Sequence, residues 1–275
     1  MADIWYRLLS FVLPGFKHAA WWKAVAVGDI GRIQKQLERS PELVNLFDKN
    51  ECTALHYSAQ HGRLKVIEFL LDAGATVDAR QTGADASGLT PLHLAAWHQQ
   101  TEAVQMLLNR EAKVNLRARV DWNYHHLTPL HLALNPIATV RGKEATIARL
   151  LIEKGAHIHA RNSWDETPVH LATAFSESAL WELLKNRGVK PTIFDLNGAT
   201  PLHEAARHGN TEALKALLRK CKDPNPQLEG DITVQRNGEI ITLVREGGTP
   251  LDVSVAFSHK EAAQILRNAG GKSRD

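Results

Sequence analysis

The chain is short of the residues that disulfide scaffolds and thiolate metal sites require. Its 275 residues include two cysteines, Cys52 and Cys221, far apart and in no CxxC or related spacing. Neither a disulfide framework nor a cysteine zinc site is expected, and a reducing compartment fits. No apolar run approaches the length of a membrane span. A secretory leader is not expected, because Asp3 stands where positive charge belongs and Arg7 interrupts the apolar segment around it. Charge of one sign is also scarce: 33 basic and 30 acidic residues leave a formal +3, interleaved along the chain. Without a concentrated basic stripe, nucleic acid is not an expected partner. No glycine-rich phosphate loop follows a strand, and neither Gly-x-Ser-x-Gly nor His-Glu-x-x-His occurs. An enzyme, a bound cofactor and a catalytic residue set are therefore not expected.

What the chain has is recurrence. Thr90-Pro91-Leu92-His93-Leu94-Ala95-Ala96 returns as Thr53-Ala54-Leu55-His56, Thr128-Pro129-Leu130-His131, Thr167-Pro168-Val169-His170 and Thr200-Pro201-Leu202-His203. A sixth copy changes its last residue, Thr249-Pro250-Leu251-Asp252. Threonine can cap free backbone amides, and proline supplies a fixed φ where its missing N–H costs nothing, so each copy reads as a helix start. A second apolar position follows 17 residues after most of these threonines, at Leu70-Leu71, Leu107-Leu108, Leu184, Leu217-Leu218 and Leu266. Two helices per unit are expected, and Gly74 and Gly155 suit the ends of the second.

This pattern resembles the ankyrin repeat, whose signature is Thr-Pro-Leu-His-x-Ala with a period of about 33 residues. The resemblance covers roughly residues 20 to 270. It implies an all-α ankyrin-repeat solenoid of stacked helix-turn-helix units with β-hairpin fingers and a concave binding face. It also implies that the histidine in the fourth place is structural, bonding between finger and helix start. The expected organisation is an N-terminal capping or amphipathic segment over 1–19 and a repeat domain over 20–270, followed by a tail over 271–275. Within the domain the units are 20–52, 53–89, 90–127, 128–166, 167–199, 200–248 and 249–270.

Successive threonines are 37, 38, 39, 33 and 49 residues apart, so several units carry insertions. The first two lengthen the fingers over 81–89 and 116–127, and the third extends the turn around 135–142. The longest holds Asn237-Gly238 between alternating apolar runs, a strong hairpin signal over 231–245. A two-residue turn there pairs Arg236 with Glu239, Val234 with Ile241 and Ile232 with Leu243. The apolar stretch 4–13 with Trp21 and Trp22 has two readings: a cap on the first repeat, or contact with a membrane or partner through Trp5, Tyr6, Phe11 and Trp21. The cap is the expected one, because the segment lacks the Lys- and Arg-rich face of an interfacial helix.

Fourteen histidines invite a metal reading, but five stand in the signature. His125-His126 with His157 and His159 is the other dense group, and no Asp, Glu or Cys stands at ligand spacing beside it. No metal is expected. Asp165-Glu166 reads as a solvated pair on a finger tip. Ankyrin resemblance places binding at finger tips and at the exposed end of each first helix. Counted from each threonine, those places hold Trp97, His98, Tyr124, His125, Trp164, Phe175, Arg207, His208 and Phe257. Aromatics and arginine dominate interfaces when a partner buries them. A non-catalytic protein binder is expected, of adaptor, inhibitor or effector type and monomeric. Its expected location is the cytoplasm, or a host cytosol for a bacterial effector, and membrane contact through the N-terminal segment is the less favoured alternative.

Overall fold

A computed structural model describes residues 18–82, 88–120, 125–134, 144–236 and 239–274. The apolar stretch 4–13, Tyr124, the extended turn over 135–142 and the Asn237-Gly238 turn lie outside the described residues. The described chain is helical, with helices in pairs. They are α1 Ala19–Val27, α2 Ile30–Arg39, α3 Ala54–Gln60, α4 Leu64–Asp72, α5 Pro91–Trp97, α6 Thr101–Asn109 and α7 Pro129–Ala133. The series continues with α8 Glu144–Glu153, α9 Pro168–Ala172, α10 Ser178–Asn186, α11 Pro201–His208, α12 Thr211–Leu218, α13 Pro250–Ala256 and α14 Lys260–Asn268. A hairpin of β1 Ile232–Arg236 and β2 Glu239–Val244 precedes α13. None of these helices exceeds 10 residues, which is too short to be stable alone, so each depends on its neighbours.

The chain forms two compact units, residues 1–133 with 138–155 and residues 134–137 with 156–275. In the first, α3, α5 and α7 pack side by side, as do α4, α6 and α8. In the second, α9, α11 and α13 pack in sequence and α10, α12 and α14 pack behind them. The repeated apolar places explain this. Leu55, Leu92, Leu130, Val169 and Leu202 are buried on the first helices, and Leu70, Leu107, Leu184, Leu217 and Leu266 on the second. Trp21, read alongside Trp5 and Phe11 as a possible membrane contact, is instead fully buried. Trp22 beside it sets its ring edge-on to Tyr57 of α3 at 6.1 Å. Among the described residues no helix is long and apolar enough to cross a membrane.

Each first helix that opens on a Thr-x-x-His copy starts by the same lock. Thr90 sits in extended backbone at ψ 166°, Pro91 opens α5, and the Thr90 hydroxyl caps the His93 amide while the Thr90 amide donates to His93 Nδ1 at 3.2 Å. The equivalent donation from Thr53 to His56, Thr167 to His170 and Thr200 to His203 spans 3.1 Å each time. An Nδ1 that accepts fixes the proton on Nε2, and Nε2 then donates to the last carbonyl of the following finger. The acceptors are Leu89, Leu127, Ala199 and Gly248, at 3.1 to 3.3 Å. One ring therefore ties its own helix start to the next unit. Ala54 replaces proline in the first copy and the box still forms.

Fingers share a base as well. Asp48 with Cys52, Gln81 with Leu89, Ala118 with Leu127, Asn162 with Glu166, Asp195 with Ala199 and Leu228 with Gly248 are joined across it by an amide-to-carbonyl bond of 2.8 to 3.0 Å. The inserted hairpin lies beyond such a base, between Leu228 and Gly248, and leaves the helix pairs on either side of it intact. Two residues before each threonine the backbone is left-handed, at Glu51, Gly88, His126, Asp165, Gly198 and Gly247. The hairpin register differs from the sequence expectation at one end: Arg236 pairs with Glu239 and Val234 with Ile241, but Ile232 pairs with Val244 rather than Leu243. A bulge between Ile232 and Thr233 absorbs the extra residue.

The sixth copy inverts the lock. Asp252 accepts from the Thr249 amide at 2.8 Å, as a histidine Nδ1 would, but its carboxylate has no N–H to pass on. It accepts again, from the Arg274 amide at 3.1 Å and the Ser273 hydroxyl, while the Thr249 hydroxyl donates to Lys272 O at 2.7 Å. Residues 272–274 thus occupy the place of a following finger. Burial pushes the Asp252 carboxyl up, yet these hydrogen bonds outweigh it and hold the group below its usual range.

Two outcomes are expected. Burial drives His56, His93, His170 and His203 down from 6.5 to about 4, so the folded state holds them neutral while the unfolded chain takes up protons below pH 6.5. Their stabilisation is complete above pH 6.5 and is lost as pH falls through the folded value. Urea unfolding across that window should show stability falling by about 1.4 kcal/mol per pH unit for each proton taken up, with His93→Gln removing about one proton from the slope. A pH-independent midpoint would contradict the neutral lock. At the other end, Asp252→Ala should cost about 1 to 2 kcal/mol as a lost cap, read from the same urea curves at neutral pH; an unchanged midpoint would show that the tail contacts contribute nothing.

Candidate functional site

Finger tips and first-helix ends present the expected binding residues differently in the two units. In the first, Trp97 closes α5 but lies half-buried against Leu89, Leu94, Ala118, Leu127 and Leu132. Its ring is 5.8 Å from that of His98. The expectation of an outward Trp97 needs correcting: the indole covers the joint between its own finger and the next, so it is in large part packing. His98 is half-buried, and burial, with His61 at the matching helix end, pushes its pKa down. His125 is half-buried also.

In the second unit, Trp164 is 39% exposed at a finger tip. A tight turn holds it there: Asn162 Oδ1 accepts the amides of Trp164 at 2.9 Å and Glu166 at 3.0 Å. Asp195 builds the next finger alike, accepting from Asn197 at 2.8 Å and Ala199 at 2.9 Å. The Leu196 amide donates to Trp164 O at 2.9 Å, setting the two tips in contact. Leu196 is 61% exposed, more than Trp164, and was not among the expected site residues. Its place inside a turn opened by Asp195 was the available signal, since such a residue cannot reach the core.

The helix ends of this unit bring three expected residues together. Arg207 Nε donates to Glu204 at 2.9 Å, His208 Nε2 lies 3.7 Å from the same carboxylate, and His259 Nε2 donates to Arg207 O at 3.0 Å. Phe257 stacks on His259, with centroids 6.5 Å apart and planes within 7°. Burial pushes His208 down, helped by Arg207 and opposed by Glu204. Phe175 is half-buried rather than exposed, and its carbonyl anchors scaffold: Trp181 Nε1 donates to it at 2.9 Å and Asn210 Nδ2 at 2.6 Å. Asn210 Nδ2 also donates to Thr173 O, the C-cap carbonyl of the five-residue α9, at 2.8 Å.

Asp165 and Glu166 are not simply a solvated pair. Asp165 meets Arg161 at 3.2 Å, and Glu166 accepts from Asn162 Nδ2 at 2.8 Å. Burial raises the Glu166 carboxyl, with Glu204 and Asp195 adding repulsion. Burial raises Asp195 as well. Cys52, buried beside Asp48, is pushed up to about 11, so its thiol is inert at neutral pH. Among the described residues no three His, Cys, Asp or Glu side chains are placed to hold a metal ion. The chemistry left to this surface is non-covalent contact: exposed apolar tips, carboxylates and a guanidinium held in place by hydrogen bonds.

The comparisons agree with that geometry. The family model described as Ankyrin repeats (3 copies) matches residues 21–118, 77–162 and 137–229. Similar proteins include the target of rapamycin complex 2 subunit AVO2 of Saccharomyces cerevisiae, 24% identical over 86% of this chain and 42% of that protein. Human transient receptor potential cation channel subfamily A member 1 is 26% identical over 87% of this chain and 19% of its own length. Human Rabankyrin-5 is 32% identical over 81% of this chain and 24% of its own. The chain therefore spans between 19% and 42% of the length of these relatives. Matched by that family across most of its length and built on a repeated threonine–histidine lock, the chain belongs to the ankyrin-repeat family of helical-repeat, protein-binding modules.

Proposed function

We propose that this chain is a non-catalytic binder, working as an adaptor, an inhibitor or an effector-type protein, that grips a partner protein through its finger tips and first-helix ends. The observation that carries this reading is the pair Trp164 and Leu196, exposed at 39% and 61% on adjoining tips. Both are large apolar side chains left partly exposed on tight turns, and burying that surface against a partner would recover the free energy its exposure costs. Arg207, His208 and Phe257 extend the contact at the helix ends of the same unit. Trp97, His98 and His125 are the corresponding contacts of the first unit, with Trp97 sharing its surface between core and partner.

Capture from lysate with the immobilised chain tests this, using Trp164→Ala/Leu196→Ala against the unaltered protein. The double variant should lose the captured protein while its urea midpoint stays within about 0.5 kcal/mol of wild type, as for surface changes. Trp97→Ala should cost about 1 to 3 kcal/mol, because it opens space against five buried side chains. Retention of the same captured protein by the Trp164/Leu196 variant would remove the basis for the reading.

A further inference from the structure

The finger tips of the second unit form a row with a recess at its far end. Leu196 touches Trp164 through the 2.9 Å backbone bond, and Gly198 lies so close to the following finger that a Cβ there would come within 2.2 Å of the Glu229 amide nitrogen. Beyond Glu229, an open recess of about 1040 Å³ lies between Phe194 and the base of the inserted hairpin. The row is apolar at Trp164, Leu196 and Phe194, and strongly acidic around them. Asp165, Glu166, Asp195 and Glu204 stand along it with Arg161 and Arg207, and Glu229 and Asp231 stand at the recess. Both of these bases are engaged inside the row, Arg161 with Asp165 at 3.2 Å and Arg207 with Glu204.

Four carboxylates, Asp223, Glu229, Asp231 and Glu246, line the recess with two bases, Arg245 and Arg274, a formal excess of two negative charges. The whole chain carries +3, which makes this row opposite in sign to the protein that bears it. A neutral or acidic partner laid on the row would strip water from carboxylates without giving them a counter-charge, at a cost its apolar contacts must first offset. A cationic partner gains from the same groups.

We propose that the tips from Trp164 to Asp231 dock an extended, lysine- and arginine-bearing segment of a partner protein. Its apolar side chains rest on Trp164 and Leu196, and a basic side chain enters the recess between Phe194 and Glu229. This rests on the protein-binding reading above and adds the partner's chemistry to it. The row supplies shape through rigid turns and sign through carboxylates, so a basic segment already extended when it arrives loses little further freedom on docking.

Fluorescence anisotropy with a short fluorescein-labelled peptide alternating lysine and leucine tests the inference, beside a glutamate–leucine peptide of equal length. The intact chain should bind the lysine peptide at least about tenfold more tightly than the glutamate one, and Glu229→Lys/Asp231→Lys should weaken it by about tenfold. Leu196→Ser should weaken it with the charges intact. Reversing a carboxylate on the opposite side of a helix pair, Glu261→Lys on α14, should leave it unchanged. Equal binding of both peptides, no measurable binding of the lysine peptide, or equal weakening by Glu261→Lys would overturn the proposal. Retention of wild-type affinity by the Glu229/Asp231 variant would overturn it too. A captured protein that needs Trp164 and Leu196 but ignores the Glu229/Asp231 reversal would overturn the basic-segment inference alone and leave the binder reading standing.

Discussion

The structure depends on one buried imidazole used in two directions. At His56, His93, His170 and His203 the ring accepts from its own threonine through Nδ1 and donates to the next finger through Nε2. A charged ring cannot serve, because protonation turns Nδ1 into a donor facing a donor, and burial removes the water that would otherwise compensate. Burial and geometry therefore demand the same neutral tautomer. The short helices lack intrinsic stability, so the bond that spans two units makes each fold in the presence of its neighbour. A site of this kind has no catalytic use: its proton is committed, and its second nitrogen is occupied.

That commitment explains how insertions are tolerated. The lock fixes the finger's last residue and the base bond fixes its first, as at Leu228 and Gly248. What lies between can be three residues, as between Asn162 and Glu166, or a complete hairpin, as at β1 and β2. Between Leu228 and Gly248 the chain is longest, and the helix pairs before and after it keep their packing. Variation and exposure thus fall on the same residues, and the surface that can specialise is the one farthest from the core.

Much of this was legible in sequence because the signals are local and repeated. Threonine, proline and histidine at fixed spacing give the helix start, and leucine 17 residues on gives the second helix, with α14 recovered at Lys260–Asn268. What was not legible depends on side chains choosing between core and solvent. Trp97 and Trp164 both follow the repeat rule for exposed places, yet an adjacent long finger gives Trp97 a wall of Leu127 and Ala118 to lean on, and Trp164 stands on a tight turn with 39% of its surface exposed. Leu196 also stands at a finger place, and a preference for aromatic and basic residues leaves it out of the expected contacts. The bulge at Ile232 was hidden for another reason: alternation sets the face of a strand but not the count of residues opposite it.

The sixth lock shows how one residue changes what a repeat can accept. Histidine offers an N–H and so selects a carbonyl from the chain that follows; Asp252 offers two lone-pair-rich oxygens and selects amides and hydroxyls instead. A finger docked there in the usual register would present the carbonyl of its last residue to a carboxylate, acceptor against acceptor, with no proton between them. Residues 272–274 solve this by presenting Ser273 and the Arg274 amide. The same substitution keeps the inward half of the lock, because a carboxylate takes the Thr249 amide as well as an imidazole does. Helix initiation and unit-to-unit coupling are thus separable functions of the fourth signature residue: aspartate retains the first and reverses the polarity of the second.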